Sequence, residues 1–135
     1  MPDIEYVQDI MGSEELLEKL CPPVRNWFKD KFPDFTHPQK VAIPKIMDGE
    51  HLLLCSPTGS GKTLTAFLTV IDDLVRRSLD GSLESSVQCM YISPIKALAN
   101  DIQKNLIGPL TEIKDSYLPS RAKDITVGLR TGDTP

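Results

Sequence analysis

Little in this sequence suits a secreted or membrane protein. Its three cysteines, Cys21, Cys55 and Cys89, are odd in number and share no CxxC spacing, which argues against a disulfide framework or a zinc ribbon. No basic-then-apolar leader opens the chain, so a reducing, cytoplasmic setting is expected, with Cys55 and Cys89 as small core residues on strands. No run nears the ~20 apolar residues that a membrane span needs, and no membrane is expected among the partners. Aromatics are only 6%, and there is no cationic excess: the net charge is -4, which excludes adhesion to nucleic acid through bulk electrostatics. The deficit is local. Residues 1–86 hold nine Lys/Arg against fourteen Asp/Glu, whereas residues 87–135 hold six against five, so any polyanion contact should favour the C-terminal part.

What remains is an ordinary globular composition. With 135 residues, 40% hydrophobic and 25% charged, the chain can bury one modest core and is too short for two complete domains. Ser13 before Glu14 and Glu15 reads as a capped helix start running to about Leu20. Cys21-Pro22-Pro23 interrupts it, and Val24, Trp27 and Phe28 recur on one helical face. Thr36-His37-Pro38-Gln39 has the spacing of a capping box and opens a third helix, which Pro44 should bend and Asp48-Gly49 should end.

Three short apolar runs, residues 51–55, 87–93 and 125–130, read as buried strands. Between the first two, Leu64, Phe67, Leu68, Ile71, Leu74 and Val75 keep helical period, with Asp72 and Asp73 one turn before Arg76 and Arg77. Between the last two, Ala97, Leu98, Asp101, Ile102, Asn105 and Leu106 suggest a helix that stops at Gly108-Pro109. Strands alternating with helices imply a parallel sheet with right-handed crossovers, the α/β layered class.

At the first strand-to-helix junction stands Ser56-Pro57-Thr58-Gly59-Ser60-Gly61-Lys62-Thr63, a Walker A element in the setting its mechanism requires. Gly59 and Gly61 allow dihedrals that let successive amides curl around phosphate oxygens, and the following helix adds its positive end. Lys62 would offset β- and γ-phosphate charge, and the Thr63 hydroxyl would ligate Mg2+. Ser56 stands where the stricter pattern has glycine, and a small residue still fits. The plain alternative is a Gly/Ser-rich turn with no ligand.

From about Trp27 to Pro135 the chain resembles superfamily two helicases, and within them the large helicase-related (Lhr) type. Phe35-Thr36-His37-Pro38-Gln39 looks like the Q motif, in which Gln39 reads the adenine of ATP; completing the helix cap is its other role, and the two can coexist. Tyr91-Ile92-Ser93-Pro94-Ile95-Lys96-Ala97-Leu98-Ala99-Asn100-Asp101 looks like motif Ia, which implies that Ser93, Pro94, Lys96 and Asn100 grip the backbone of a loaded strand. From local pattern alone an ordinary strand-to-helix connection with a solvated lysine fits equally well. Gly128-Leu129-Arg130-Thr131-Gly132-Asp133-Thr134-Pro135 matches the next Lhr-type segment and adds Arg130, Thr131 and Gly132 as candidate nucleic-acid contacts.

The resemblance implies a P-loop NTPase with a RecA-like parallel sheet and flanking helices, here an incomplete first motor domain: residues 1–31 a helical lead-in, residues 32–135 the beginning of the ATP-binding domain. It implies ATP and Mg2+ as cofactors, single-stranded or branched DNA as substrate with RNA as the rival, and a missing remainder of the helicase chain. The acidic Walker B motif, the coupling motif and the second motor domain are absent from these residues. Asp72 and Asp73 sit on a helix and Asp133 belongs to another segment, so none replaces the Walker B acid, and hydrolysis by this chain alone is not expected. A non-hydrolysing nucleotide-binding module is the alternative from another class; a P-loop kinase is disfavoured for want of an acceptor site.

Overall fold

The computed structural model describes residues 3–57, 59, 61–93, 99–132 and 134–135. Its helices, in chain order, are α1 (Ser13–Lys19), α2 (Pro22–Lys31), α3 (His37–Met47), α4 (Lys62–Asp80), α5 (Ala99–Ile102) and α6 (Gly108–Ser116), with a π-helical turn (Gln103–Ile107) joining the last two.

The local chemistry behind these boundaries is mostly that of the sequence, with two exchanges of role. Ser13 is not the cap of α1; Gly12 is, and the Ser13 hydroxyl instead donates to Asp34 Oδ1 at 2.5 Å, a partner 21 residues away. Pro22 and Pro23 begin α2 rather than merely ending α1, because the first helical amides lack intrahelical acceptors in any case. In α3, Pro44 removes the amide that would have bonded Lys40 O, and that carbonyl accepts from Met11 N–H at 3.2 Å. The N-terminal arm is thereby pinned to α3. Gly49, with φ +78, ends the helix where the Asp48-Gly49 pair predicts.

α4 is the long amphipathic helix expected. Leu64, Phe67, Leu68, Ile71 and Val75 are buried along one face, and both i,i+4 pairs form: Arg76 Nε to Asp72 Oδ2 and Arg77 Nη2 to Asp73 Oδ2, each at 2.7 Å. Gly81 closes α4 in the left-handed region, and Leu83 N–H returns to Arg77 O at 3.1 Å, which satisfies one of the last free carbonyls.

The expected stop at Gly108-Pro109 does not occur; the helical run continues to Ser116. The π turn is what permits it. Gly108 N–H donates to Gln103 O, five residues back, and this wider register places Pro109 in the first turn of α6, where a missing amide costs nothing.

One core joins these helices. It gathers Leu16, Val24, Trp27, Phe28, Ile43, Leu68, Ile71, Leu110 and Ile113, with Leu20, Phe35, Leu83 and Ile125 from outside the helices. Phe28 stacks on Phe35 with ring centres 4.1 Å apart, and Trp27 meets Phe32 edge-on at 5.7 Å.

The expected sheet is not formed among the described residues. Residues 51–55, 87–93 and 125–130 are non-helical but form no ladder, and no strand exists among the described residues. Leu53 is 89% exposed, Val87 81% and Ile92 80%, so the first two runs lie largely open, whereas Ile125 of the third enters the core. A strand is completed only by the neighbour that accepts its hydrogen bonds, and the core here is closed by helix-to-helix packing instead. Cys55 and Cys89 are accordingly exposed and not core residues. Cys21 is the buried one: burial first, and the Asp72 carboxylate second, push its thiol up to about 12. No helix of the described residues is long and apolar enough to cross a membrane.

Candidate nucleotide site

The N-terminus of α4 organises the candidate site. Gly59 and Gly61 both take φ +83, the left-handed region that side-chain-bearing residues avoid. At Gly61 the chain turns into α4: Thr65 N–H makes the first helical bond to Gly61 O at 3.0 Å, and Thr65 Oγ1 adds a second to the same carbonyl at 2.7 Å. The amides of Lys62, Thr63 and Leu64 precede any intrahelical acceptor and form the positive end of a 19-residue helix. Lys62 and Thr63 are half-buried there. Their side chains line an open cleft of about 450 Å³ together with Glu50, His51, Leu54 and Tyr91, and the Tyr91 ring lies 4.8 Å from that of Phe67.

The start of α3 forms the wall behind Gly61. Thr36 N–H donates to Gln39 Oε1 at 2.8 Å, the half of the capping box that satisfies the helix-entry amide. The reciprocal half is arranged but does not close, and Thr36 Oγ1 is buried with no hydrogen-bond partner. Gln39 is only 3% exposed. A Cβ added to Gly61 would stand 2.7 Å from Gln39 Nε2 and 3.3 Å from Thr36 Oγ1. Gly61 is thus required twice, by its dihedrals and by its neighbours. Gly61→Ala is expected to lower nucleotide affinity about tenfold or more, since a left-handed alanine costs roughly 1–2 kcal/mol before the collision with Gln39 is counted; an unaltered titration curve contradicts this.

The structure therefore brings together Gln39, Gly61, Lys62 and Thr63, with Gly59 in the same loop. Pro57 and Ser56 belong to that loop as well, each with an interaction of its own. Thr58, Ser60, Pro94 and Lys96 lie outside the described residues, as does Asp133, and of Asn100 only the helical backbone is described. Ser93 Oγ is buried and makes no hydrogen bond among the described residues. Arg130, Thr131 and Gly132 are exposed at a turn in which Thr131 N–H donates to Thr134 Oγ1 at 2.8 Å. Thr65 joins the site without a motif signal of its own, one helical turn beyond Gly61.

As a donor set, amides without intrahelical acceptors at a helix N-terminus, one ammonium and one hydroxyl suit a polyphosphate and the hard cation that accompanies it. The sequence profile of DEAD/DEAH box helicases matches residues 36–128, which take in both the Gln39 wall and the α4 loop. The chain belongs to the DEAD/DEAH box helicase family. Membership brings a P-loop NTPase fold.

Within the DEAD/DEAH box helicases its likeness is to the Lhr type. It is 51% identical to the ATP-dependent helicase Lhr-Core of Methanothermobacter thermautotrophicus over 97% of this chain and 15% of that protein. It is 45% identical to the ATP-dependent helicase Lhr-Core of Methanocaldococcus jannaschii over 99% of this chain and 16% of the relative. It is 40% identical to the Lhr helicase/uracil glycosylase of Escherichia coli over 91% of this chain and 8% of the relative. The chain thus spans at most 16% of the length of these relatives. No solved structure matches it.

Proposed function

We propose that this chain is the ATP-gripping part of an ATP-dependent helicase or translocase that acts on DNA, single-stranded or branched. The observation that carries the reading is the left-handed Gly61 turning into α4 with Lys62 and Thr63 at the helix start and Gln39 packed behind it. In this reading the loop of residues 57–63 holds the phosphates through its amides, Lys62 offsets their charge and the Thr63 hydroxyl ligates magnesium. Magnesium, when bound, supplies charge neutralisation between the terminal phosphates. Gln39 reads the adenine edge. It does so from the α3 start, beside its bond from the Thr36 amide.

Residues 51–55, 87–93 and 125–130 are proposed as strands of a RecA-like parallel sheet that form once neighbouring strands are present, with residues 1–31 as a helical lead-in to the motor domain that begins at residue 32. The exposed apolar side chains Leu53, Val87, Ile92 and Leu129 support this, since buried-strand sequences are stable only when both faces are covered. Ser93, Pro94, Lys96 and Asn100, with Arg130, Thr131 and Gly132, would hold the phosphates of the loaded strand. ATP closes two motor lobes and its hydrolysis reopens them, moving that grip along the strand.

The test uses the full-length protein. Single-stranded DNA is expected to stimulate ATP hydrolysis and a partial duplex to be unwound, with RNA competing poorly. Preferential stimulation by RNA replaces DNA as the substrate, and hydrolysis indifferent to any nucleic acid removes the motor reading.

A further inference from the structure

The first turn of α3, which carries Gln39, is fastened by a carboxylate from outside the helix. Asp34 lies two residues before the cap residue Thr36. Its Oδ1 accepts from Phe35 N–H at 2.7 Å and from the Ser13 hydroxyl at 2.5 Å, and its Oδ2 accepts from Lys40 Nζ at 3.2 Å. Phe35 and Lys40 flank the stretch from Thr36 to Gln39, so one side chain bonds the chain on both sides of the capping box. Ser13 adds a fixed point from the start of α1, 21 residues away.

The box itself is lightly tied. Thr36 N–H donates to Gln39 Oε1, but Thr36 Oγ1 is buried without a partner among the described residues, and Pro38 has no amide to offer. Gln39 meanwhile stands so near Gly61 that a Cβ there would come within 2.7 Å of its Nε2. With clearance that small, any shift of the α3 start displaces the Gln39 amide relative to the phosphate loop.

The Asp34 bonds differ in weight. Its side chain is 52% exposed, so the pair with Lys40 contributes little stability by itself. The bonds from Ser13 and the Phe35 amide are short and charge-assisted, and Phe35, stacked on Phe28 in the core, gives the second of them a rigid end. The Ser13 bond first, the Phe35 amide second and Lys40 third hold the Asp34 carboxyl below the usual aspartate range, which keeps it an anion at neutral pH. We propose that Asp34 is a positioning residue for base selection: it sets the start of α3 so that the Gln39 amide meets the adenine edge while the phosphate loop holds the tail. This rests on the reading of Gln39 as the adenine contact. Because Asp34 acts through Gln39, its removal is felt at the base and not at the phosphates, as a change in discrimination between nucleotides.

The experiment titrates ATP and GTP separately into the full-length protein as wild type, Asp34→Ala and Asp34→Asn, beside a thermal melt of each. Wild type should prefer ATP. Asp34→Ala should weaken ATP about fivefold, the worth of one net hydrogen bond, and leave GTP at its wild-type affinity, because the loop of residues 57–63 is untouched. Asp34→Asn keeps an oxygen acceptor for the Phe35 amide and the Ser13 hydroxyl and should retain most of the preference. An unchanged ATP-to-GTP ratio in Asp34→Ala overturns the proposal, even with a lowered melting temperature. An equal fall for both nucleotides overturns it too, since it would make Asp34 a structural residue alone. If wild type itself does not distinguish the two nucleotides, the adenine reading of Gln39 fails and the role of Asp34 falls with it; a discriminating wild type beside an equally discriminating Asp34→Ala defeats Asp34 alone.

Discussion

Lys62→Ala is expected to abolish measurable ATP binding in the protein that retains it, a loss of about a hundredfold or more in affinity. Lys62 is the first residue of α4 and shares the cleft with Thr63. A triphosphate brought to this helix end meets amide dipoles, which supply partial charges only, so the ammonium is the one full positive charge that Lys62 brings to the loop. Charge-assisted bonds contribute roughly 1.5–3 kcal/mol each, and an ammonium spanning two phosphates makes more than one. The substitution should leave the fold alone. Lysine and alanine are both good helix formers, and Lys62 is only half-buried. Isothermal titration with ATP, run beside a thermal melt, separates the cases: lost binding with an unmoved melting temperature is expected, and unchanged affinity contradicts the assignment of the loop to phosphate.

Asp72→Ala should produce the largest loss of stability at a polar position. Asp72 is 3% exposed on α4, and its carboxylate joins two elements distant in sequence: Oδ1 accepts from Cys21 N–H, the residue before α2, and Oδ2 accepts from Arg76 Nε, both at 2.7 Å. The Arg76 guanidinium goes on to Lys19 O at the end of α1. With alanine, the Cys21 amide is left buried without its acceptor, which costs about 1–3 kcal/mol. Arg76 loses its counter-charge but is 47% exposed and turns to water, so the full cost of breaking a buried ion pair does not apply. The expected total is about 2–4 kcal/mol, read as a fall of roughly 8–15 °C in melting temperature for a chain of this size. Asp72→Asn keeps an acceptor for Cys21 and should lose about half as much. A melt within a degree of wild type for Asp72→Ala would mean that the clasp between the α1–α2 junction and α4 contributes nothing.

The helices were readable because their signals are local. Thr36 and Gln39 declare the start of α3 within four residues, Asp48-Gly49 its end, and Asp72 with Arg76 sit one turn apart on α4 whatever surrounds them. Ser13 shows where locality fails: a hydroxyl before two glutamates suits a cap, but Asp34 offers it a charged acceptor that no window around Ser13 contains. Gly108-Pro109 shows the same from the other side, since the dipeptide is a stop in an α-helix and is tolerated once the preceding turn adopts π register. The three apolar runs are the largest departure, because periodicity reports what a segment can bury and not whether a partner is there to bury it.

By itself the sequence determined the helix periods, the spacing of the Gly59-to-Thr63 motif, the pairing of Gln39 with Thr36 and the family. These depend on residues within a few turns of one another and on motif spacing. Only the tertiary structure decided that the Gln39 wall stands against Gly61, that Cys21 rather than Cys55 or Cys89 is buried, that Asp72 serves the start of α2, and that Glu112 accepts from Trp27 and Lys31. Each joins positions roughly 20 to 85 residues apart, and a contact of that range is set by how amphipathic faces pack into one core, which no stretch of chain carries alone.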